Sequence, residues 1–190
     1  MRLSQLFVVS FLQFIVSVDG RLRRKRYYTY GYPVVTQAAA TLMGTAQGKI
    51  YFSQSSTYGP VQITGTIMGL TPGFHGFHVH QLGDVVDGNC TRAGSHYNPY
   101  RRTHGAPTSY NRHVGDLGNI IAQANGVAQV NIIDNQLRLN GGCAAILGRT
   151  LVIHSGADDL GLGGNQGSLT TGNAGTRVAC GVIVVSAETA

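Results

Sequence analysis

The sequence predicts an all-β fold of eight antiparallel strands, closed as a barrel or stacked as a sandwich, with two long functional loops. Three observations lead there. A chain of 190 residues suffices for one well-buried domain and is short for two. Its 27 glycines, 9 tyrosines and 6 phenylalanines, with many Val, Ile and Thr and no Trp, favour strands joined by Gly-bearing turns. Short runs of alternating polarity recur along the chain without a helical period. The glycines lack the third-position spacing of collagen, and 12% charged against 43% hydrophobic residues excludes a disordered chain.

The first element is an apolar stretch from Leu6 to Val18, preceded by Met1-Arg2 and broken only by Ser10, Gln13 and Ser17. That length matches the core of an export signal, whereas a membrane-spanning helix needs about 20 residues. With small residues at Ser17 and Gly20 for cleavage, residues 1–20 read as a signal peptide, and the protein as secreted with no membrane span. Residues 21–36 follow as a basic arm and linker, in which Arg21 to Arg26 hold five of the fourteen basic residues and no acid. Arg23-Arg24-Lys25-Arg26 has the form of a processing site. Retained in the mature chain, the arm suits a polyanion such as a sulphated glycan. Most of the net charge of +6 belongs to this arm, since from Tyr27 onward eight Lys/Arg face seven Asp/Glu. A nucleic-acid-binding domain spreads positive charge over its folded surface, so nucleic acid is excluded as a specific partner.

Residues 37–190 make the domain. Its strands are expected at Ala38–Ala46, Gly48–Ser53, Val61–Met68, Phe74–His80, Gly118–Gln123, Val127–Asn131, Thr150–His154 and Val178–Val185. Gln47-Gly48 and Asn125-Gly126 are hairpin-turn signals between them. Gln81 to Val114 and Ser155 to Thr176 contain no strand, and loops this long usually carry function. The second is Gly-rich, yet it has neither G-K-[ST] nor a GxGxxG before a helix, which excludes a phosphate loop. Cys90, Cys143 and Cys180 give one pair and one leftover, the arithmetic of an exported domain with a single bridge. Asn89-Cys90-Thr91 is a formal glycosylation sequon.

All seven histidines lie between His75 and His154. On a strand, residues i and i+2 share a face, so His78 and His80 project together while Phe77 and Val79 enter the core. Two imidazoles on one rigid face suit copper or zinc. His75 has the opposite parity and reads as a structural residue hydrogen-bonded to backbone. The first loop adds His96, His104, His113 and Asp116. Three nitrogens and one oxygen form a closed tetrahedral set for zinc, which would also order a loop poor in apolar residues. His154 ends a strand and reaches His78 and His80 if the sheet closes, giving a second, nitrogen-rich site suited to copper.

These residues sit in five segments: Gly76-Phe77-His78-Val79-His80, Gly94-Ser95-His96-Tyr97-Asn98-Pro99, Arg112-His113-Val114-Gly115-Asp116-Leu117-Gly118-Asn119, Gly148-Arg149-Thr150-Leu151-Val152-Ile153-His154 and Gly172-Asn173-Ala174-Gly175-Thr176-Arg177-Val178-Ala179-Cys180-Gly181. In that order, from about Ala38 to Val185, the chain resembles the copper/zinc superoxide dismutases, and specifically their secreted type. The resemblance implies a Greek-key barrel and one copper and one zinc per subunit. Copper would be held by His78, His80, His96 and His154, and zinc by His96, His104, His113 and Asp116, with His96 shared. It implies a Cys90–Cys180 disulfide, Arg177 as the cation that attracts superoxide, and Asp158 as the carboxylate linking ligands of the two metals. His96 and Arg177 would be the catalytic residues, and the products O2 and H2O2. The complete ligand set weighs against a metal-transfer relative or a silent binding module. Three departures qualify the resemblance. Residues 156–176 contain no Lys, Arg or Glu, so attraction rests on Arg177, with Arg101, Arg102 and Arg112 as candidate helpers. Lys49 falls near the seam of the family's homodimer and weighs against that partner. Cys143 has no family partner and reads as a buried small residue or an intermolecular bridge.

Overall fold

The computed structural model describes residues 8–16, 22–30 and 34–187. Residues 1–7, 17–21, 31–33 and 188–190, which include parts of the expected signal peptide and basic arm, lie outside the described residues. The chain divides into two compact units, residues 1–34 and 35–190. In the first, β1 (Val8–Val16) pairs antiparallel with β2 (Leu22–Tyr30), Val8 opposite Tyr30 and Val16 opposite Leu22.

The second unit is a closed antiparallel barrel. Its strands are β3 (Gln37–Gly44), β4 (Gln47–Ser53), β5 (Val61–Met68), β6 (Gly73–His80), β7 (Asp116–Ala122), β8 (Ala128–Asp134), β9 (Thr150–His154) and β10 (Arg177–Val182). A two-residue strand, β11 (Val184–Val185), continues β10 along β3. Around the barrel the order is β3-β4-β5-β8-β7-β6-β9-β10, and β10 returns to β3. Chain order and spatial order part where β5 pairs β8 and β6 pairs β9, which is the Greek-key crossing.

Alternation builds the core. Ala38, Ala40 and Leu42 on β3, Ile50 and Phe52 on β4, Val61, Ile63 and Ile67 on β5, and Phe77 and Val79 on β6 all point inward and are buried. Each large aliphatic or Phe side chain so placed stabilises the fold by about 1.5–3 kcal/mol relative to exposure. Closing the sheet leaves few exposed backbone edges.

The Asn125-Gly126 turn forms as a reversal at Gln123–Gly126, with Gly126 at φ 74° and Asn125 Oδ1 accepting from Val127 N. The Gln47-Gly48 signal does not mark a turn. The chain reverses earlier, at Thr45-Ala46, because both of those N–H groups donate to Val178 O and Ala46 is buried. Gln47 and Gly48 already belong to β4, opposite Met68 and Ile67. Strand β8 also outruns its expected end, reaching Asp134 in register with β5.

Both long loops carry short helical turns: Val86–Gly88 and Cys90–Ala93 in the first, and α1 (Ser168–Thr171) in the second. A third connection, residues 135–149, buries Leu137, Leu139 and Ile146 in the barrel core. The first loop is held by a small second core outside the barrel, where Cys90 and Ala93 pack on Val152 and Cys180. A disulfide joins Cys90 to Cys180 across this contact. Cys143, by contrast, is exposed, which corrects the expectation of a buried residue. Its loop, Asn140 to Gly142, offers little apolar cover, and its backbone is fixed instead by Tyr97 Oη donating to Cys143 O. Among the described residues no helix is long and apolar enough to cross a membrane.

Candidate metal centre

The centre lies on the outer face of β6 and β9. His78 and His80 alternate with the core residues Phe77 and Val79, and the two long loops cover them, so the histidines are buried although they point away from the core. A register shift between Gly76 and His78 sets His78 opposite Asp116 on β7, which re-aims one side chain as bulges do. The segment around His96 runs beside the end of β6. Tyr97 N donates to Val79 O and Gln81 N to Ser95 O, and this ladder sets His96 next to His80. His154 closes β9 opposite Arg177.

Two groups of four donors result, His78, His80, His96 and His154, and His96, His104, His113 and Asp116, with ligand atoms within 4.8 Å of one another in each group. His96 belongs to both. Every ring has one nitrogen committed to an oxygen. His80 Nδ1 lies 2.8 Å from Gly94 O, His154 Nδ1 3.1 Å from Gly175 O, and His78 Nε2 2.8 Å from Asp158 Oδ2. His104 Nε2 lies 2.7 Å from Asp158 Oδ1. His96 Nδ1 lies 2.8 Å from Asp116 Oδ1, and His113 Nδ1 lies 3.1 Å from the same oxygen. The opposite atoms of three rings, His78 Nδ1, His96 Nε2 and His104 Nδ1, are buried without a hydrogen-bond partner. His104 Nδ1 is 3.0 Å from Asp116 Oδ1 but not aligned for a hydrogen bond.

Charge follows burial. Burial, then the neighbouring His96, pushes His78 down to about 3. Burial likewise brings His154 to about 4 and holds His80 and His96 below the ordinary range. Burial opposes charge on His104 too, but the carboxylates of Asp116 and Asp158 outweigh it and raise this ring to about 9. Both acids are held well below the carboxylate range, because their hydrogen bonds from histidines overcome the cost of burial. The nitrogen-rich group is thus a set of neutral donors, whereas in the other group an ionised Asp116 faces a protonated His104.

Comparison with known proteins decides the family. The model of the family described as copper/zinc superoxide dismutase (SODC) matches residues 46–183. The chain belongs to the copper/zinc superoxide dismutase family. It is therefore an oxidoreductase of the superoxide dismutase class. Among solved structures, the chain resembles the one titled "Crystal Structure Analysis of the clock protein EA4", at 44% identity and a TM-score of 0.78, over 83% of this chain and 99% of that one.

A cavity of about 560 Å³ opens onto the dismutase site and is lined by His80, His96, His154 and Arg177 among others. Arg177 is half-buried, and its guanidinium donates to the carbonyls of Cys90, Thr91 and Gly94. Of its expected helpers, Arg102 lines the same cavity, whereas Arg101 is exposed and does not. Arg112 is no helper: it is fully buried, with one amino group on Asp116 O and the other 2.5 Å from Asp134 Oδ2. This buried pair was not foreseen from the sequence, because nothing local links positions 112 and 134. His75 stands where its parity put it, with Nδ1 2.8 Å from His154 O and Nε2 2.7 Å from Thr71 O.

Proposed function

We propose that the protein is a secreted copper/zinc superoxide dismutase, with copper on His78 Nδ1, His80 Nε2, His96 Nε2 and His154 Nε2. Zinc is assigned to His96 Nδ1, His104 Nδ1, His113 Nδ1 and an Asp116 oxygen. Two observations carry this assignment: His96 Nδ1, His104 Nδ1 and His113 Nδ1 converge on Asp116 Oδ1 at 2.8, 3.0 and 3.1 Å, and His78 Nδ1, His96 Nε2 and His104 Nδ1 are buried without a hydrogen-bond partner. Leaving such atoms without a partner costs free energy, and a metal satisfies them together. The donor chemistry agrees: neutral imidazoles suit copper, and three nitrogens with a carboxylate suit zinc.

When bound, copper supplies one-electron redox chemistry beside a zinc that supplies fixed positive charge, so that two superoxide ions and two protons give O2 and H2O2. The protein's share is positioning. Asp158 accepts from His78 and His104 at once and so fixes the tautomer of one ligand in each set. His96, which lines the cavity, belongs to both sets, and its Nε2 is the atom that would hold and pass on a proton. Arg177 presents a permanently charged planar fork to a small anion, and three carbonyls keep that fork in place.

The test is superoxide decay catalysed by the purified chain reconstituted with both metals, with elemental analysis of each preparation. His78→Ala should abolish activity, and Arg177→Ala should lower it while leaving metal content unchanged. An inactive chain with full metal content overturns the reading. Export rests on the apolar Leu6–Val18 stretch behind Met1-Arg2, and N-terminal sequencing of protein collected from culture medium checks it. Retention of Arg21–Arg26 on that chain, with salt-sensitive binding to a sulphated glycan, would support the arm as a polyanion contact. Light scattering decides the homodimer.

A further inference from the structure

The cavity at the metal centre is lopsided in charge. Arg102 and Arg177 line it, and no Asp, Glu or Lys does among the described residues. The wall given by the second loop consists of Gln166, Leu169, Thr170, Thr171 and Gly175, all uncharged. Beyond Arg177 on β10, the charge that draws an anion inward therefore comes from the first loop.

Arg102 is built into that loop. Asn98 clamps its backbone twice, Oδ1 accepting from Arg102 N at 3.0 Å and Nδ2 donating to Arg102 O at 2.7 Å. The guanidinium lies over the rings of Tyr110 and Tyr100, 4.3 and 5.6 Å from their centroids, and Nη1 donates to Tyr110 O at 2.7 Å. Aromatic faces hold a cation without neutralising it. No carboxylate pairs with Arg102 among the described residues, and its other N–H groups have no protein acceptor there. A charge positioned but uncompensated on a cavity wall remains available to a mobile anion.

We propose that Arg102 is a second anion-guiding cation, which captures small inorganic anions at the first-loop wall and passes them to Arg177. This rests on the dismutase reading for its substrate, superoxide. Arg102 touches no metal-donor atom, so its effect belongs to arrival and residence of the anion.

The experiment uses the full chain loaded with copper and zinc, as wild type, Arg102→Gln, Arg102→Lys and Arg101→Gln. Two quantities are read: the second-order rate of superoxide loss against ionic strength, and azide affinity by optical titration. Arg102→Gln should lower both by about 2–5-fold at low salt, with the rates converging as salt shortens the screening length to a few ångströms. Arg102→Lys should retain most of the wild-type rate, and Arg101→Gln, which removes the same charge one residue away, should lose much less. Equal losses at 101 and 102 would reduce the effect to net charge and overturn the proposal, as would an unchanged Arg102→Gln. An inactive, fully metallated wild type would instead sink the dismutase reading. The azide comparison would still decide the role of Arg102.

Discussion

Asp158 accepts one hydrogen bond from each of two rings, and a carboxylate is the side chain that can do so without donating in return. In Asp158→Asn only the amide oxygen accepts, so His78 or His104 must turn its N–H toward a metal. Metal affinity should then fall about 10–100-fold, while the fold persists. Competition with a chelator, read beside the circular dichroism of the same sample, checks this, and an affinity equal to wild type would contradict it. Gly172 guards the same carboxylate from the other side. Its φ is 64°, and a Cβ there would overlap Asp158 Oδ1 and His104 Nε2. Gly172→Ala should therefore cost about 1–2 kcal/mol through the left-handed backbone alone and lower metal content as well. Thermal unfolding together with elemental analysis separates the two effects.

Strands supply His78, His80, Asp116 and His154, the first loop supplies His96, His104 and His113, and the loops that cover the centre are cross-tied. The Cys90–Cys180 disulfide, spanning 90 residues, joins the first loop to β10, and the same loop offers Arg177 the Cys90 and Thr91 carbonyls. Removing the bridge should cost about 4–5 kcal/mol in the chain-entropy account. It should also loosen Arg177, so activity per bound copper should fall in Cys90→Ser even at temperatures where the variant stays folded. Unchanged activity per copper would confine the bridge to stability. The strands were legible because alternation is local: all eight lie within a few residues of their expected places, and His75 and His78 separate by parity alone. The histidine groups were legible for the same reason, each residue sitting at a strand end or in a loop with unusual chemistry. What the sequence hid is long-range. The Arg112–Asp134 pair ties the first loop to the end of β8, and its partners are 22 residues apart with no periodic signal between them. The turn at Thr45-Ala46 is set by Val178 O, more than a hundred residues away. Cys143 is exposed because of what its loop fails to cover, which composition does not show.

At the scale of the whole molecule, the centre makes stability depend on pH in two directions. His78, His80, His96 and His154 are lowered in the folded chain from the ordinary 6.5, the first and last to about 3 and 4. Below pH 6.5 the unfolded chain therefore binds more protons than the folded one, and stability falls with pH. Lowered Asp116 and Asp158 add to this loss as pH drops through the carboxylate range. His104 runs the other way. Raised to about 9, it contributes stability that is complete below 6.5 and disappears as pH climbs toward 9. The metal-free protein should thus melt highest near pH 6.5 and lower at both pH 4.5 and pH 9. Zinc reverses the alkaline limb, because a coordinated His104 has already given up the proton at its donor nitrogen and binds its metal better as protons grow scarce. Melting temperatures at the three pH values, with and without both metals, check the argument. A metal-free protein that gains stability steadily from pH 6.5 to 9 would contradict the raised His104. A loaded protein with the same alkaline decline would show that His104 does not hold the zinc.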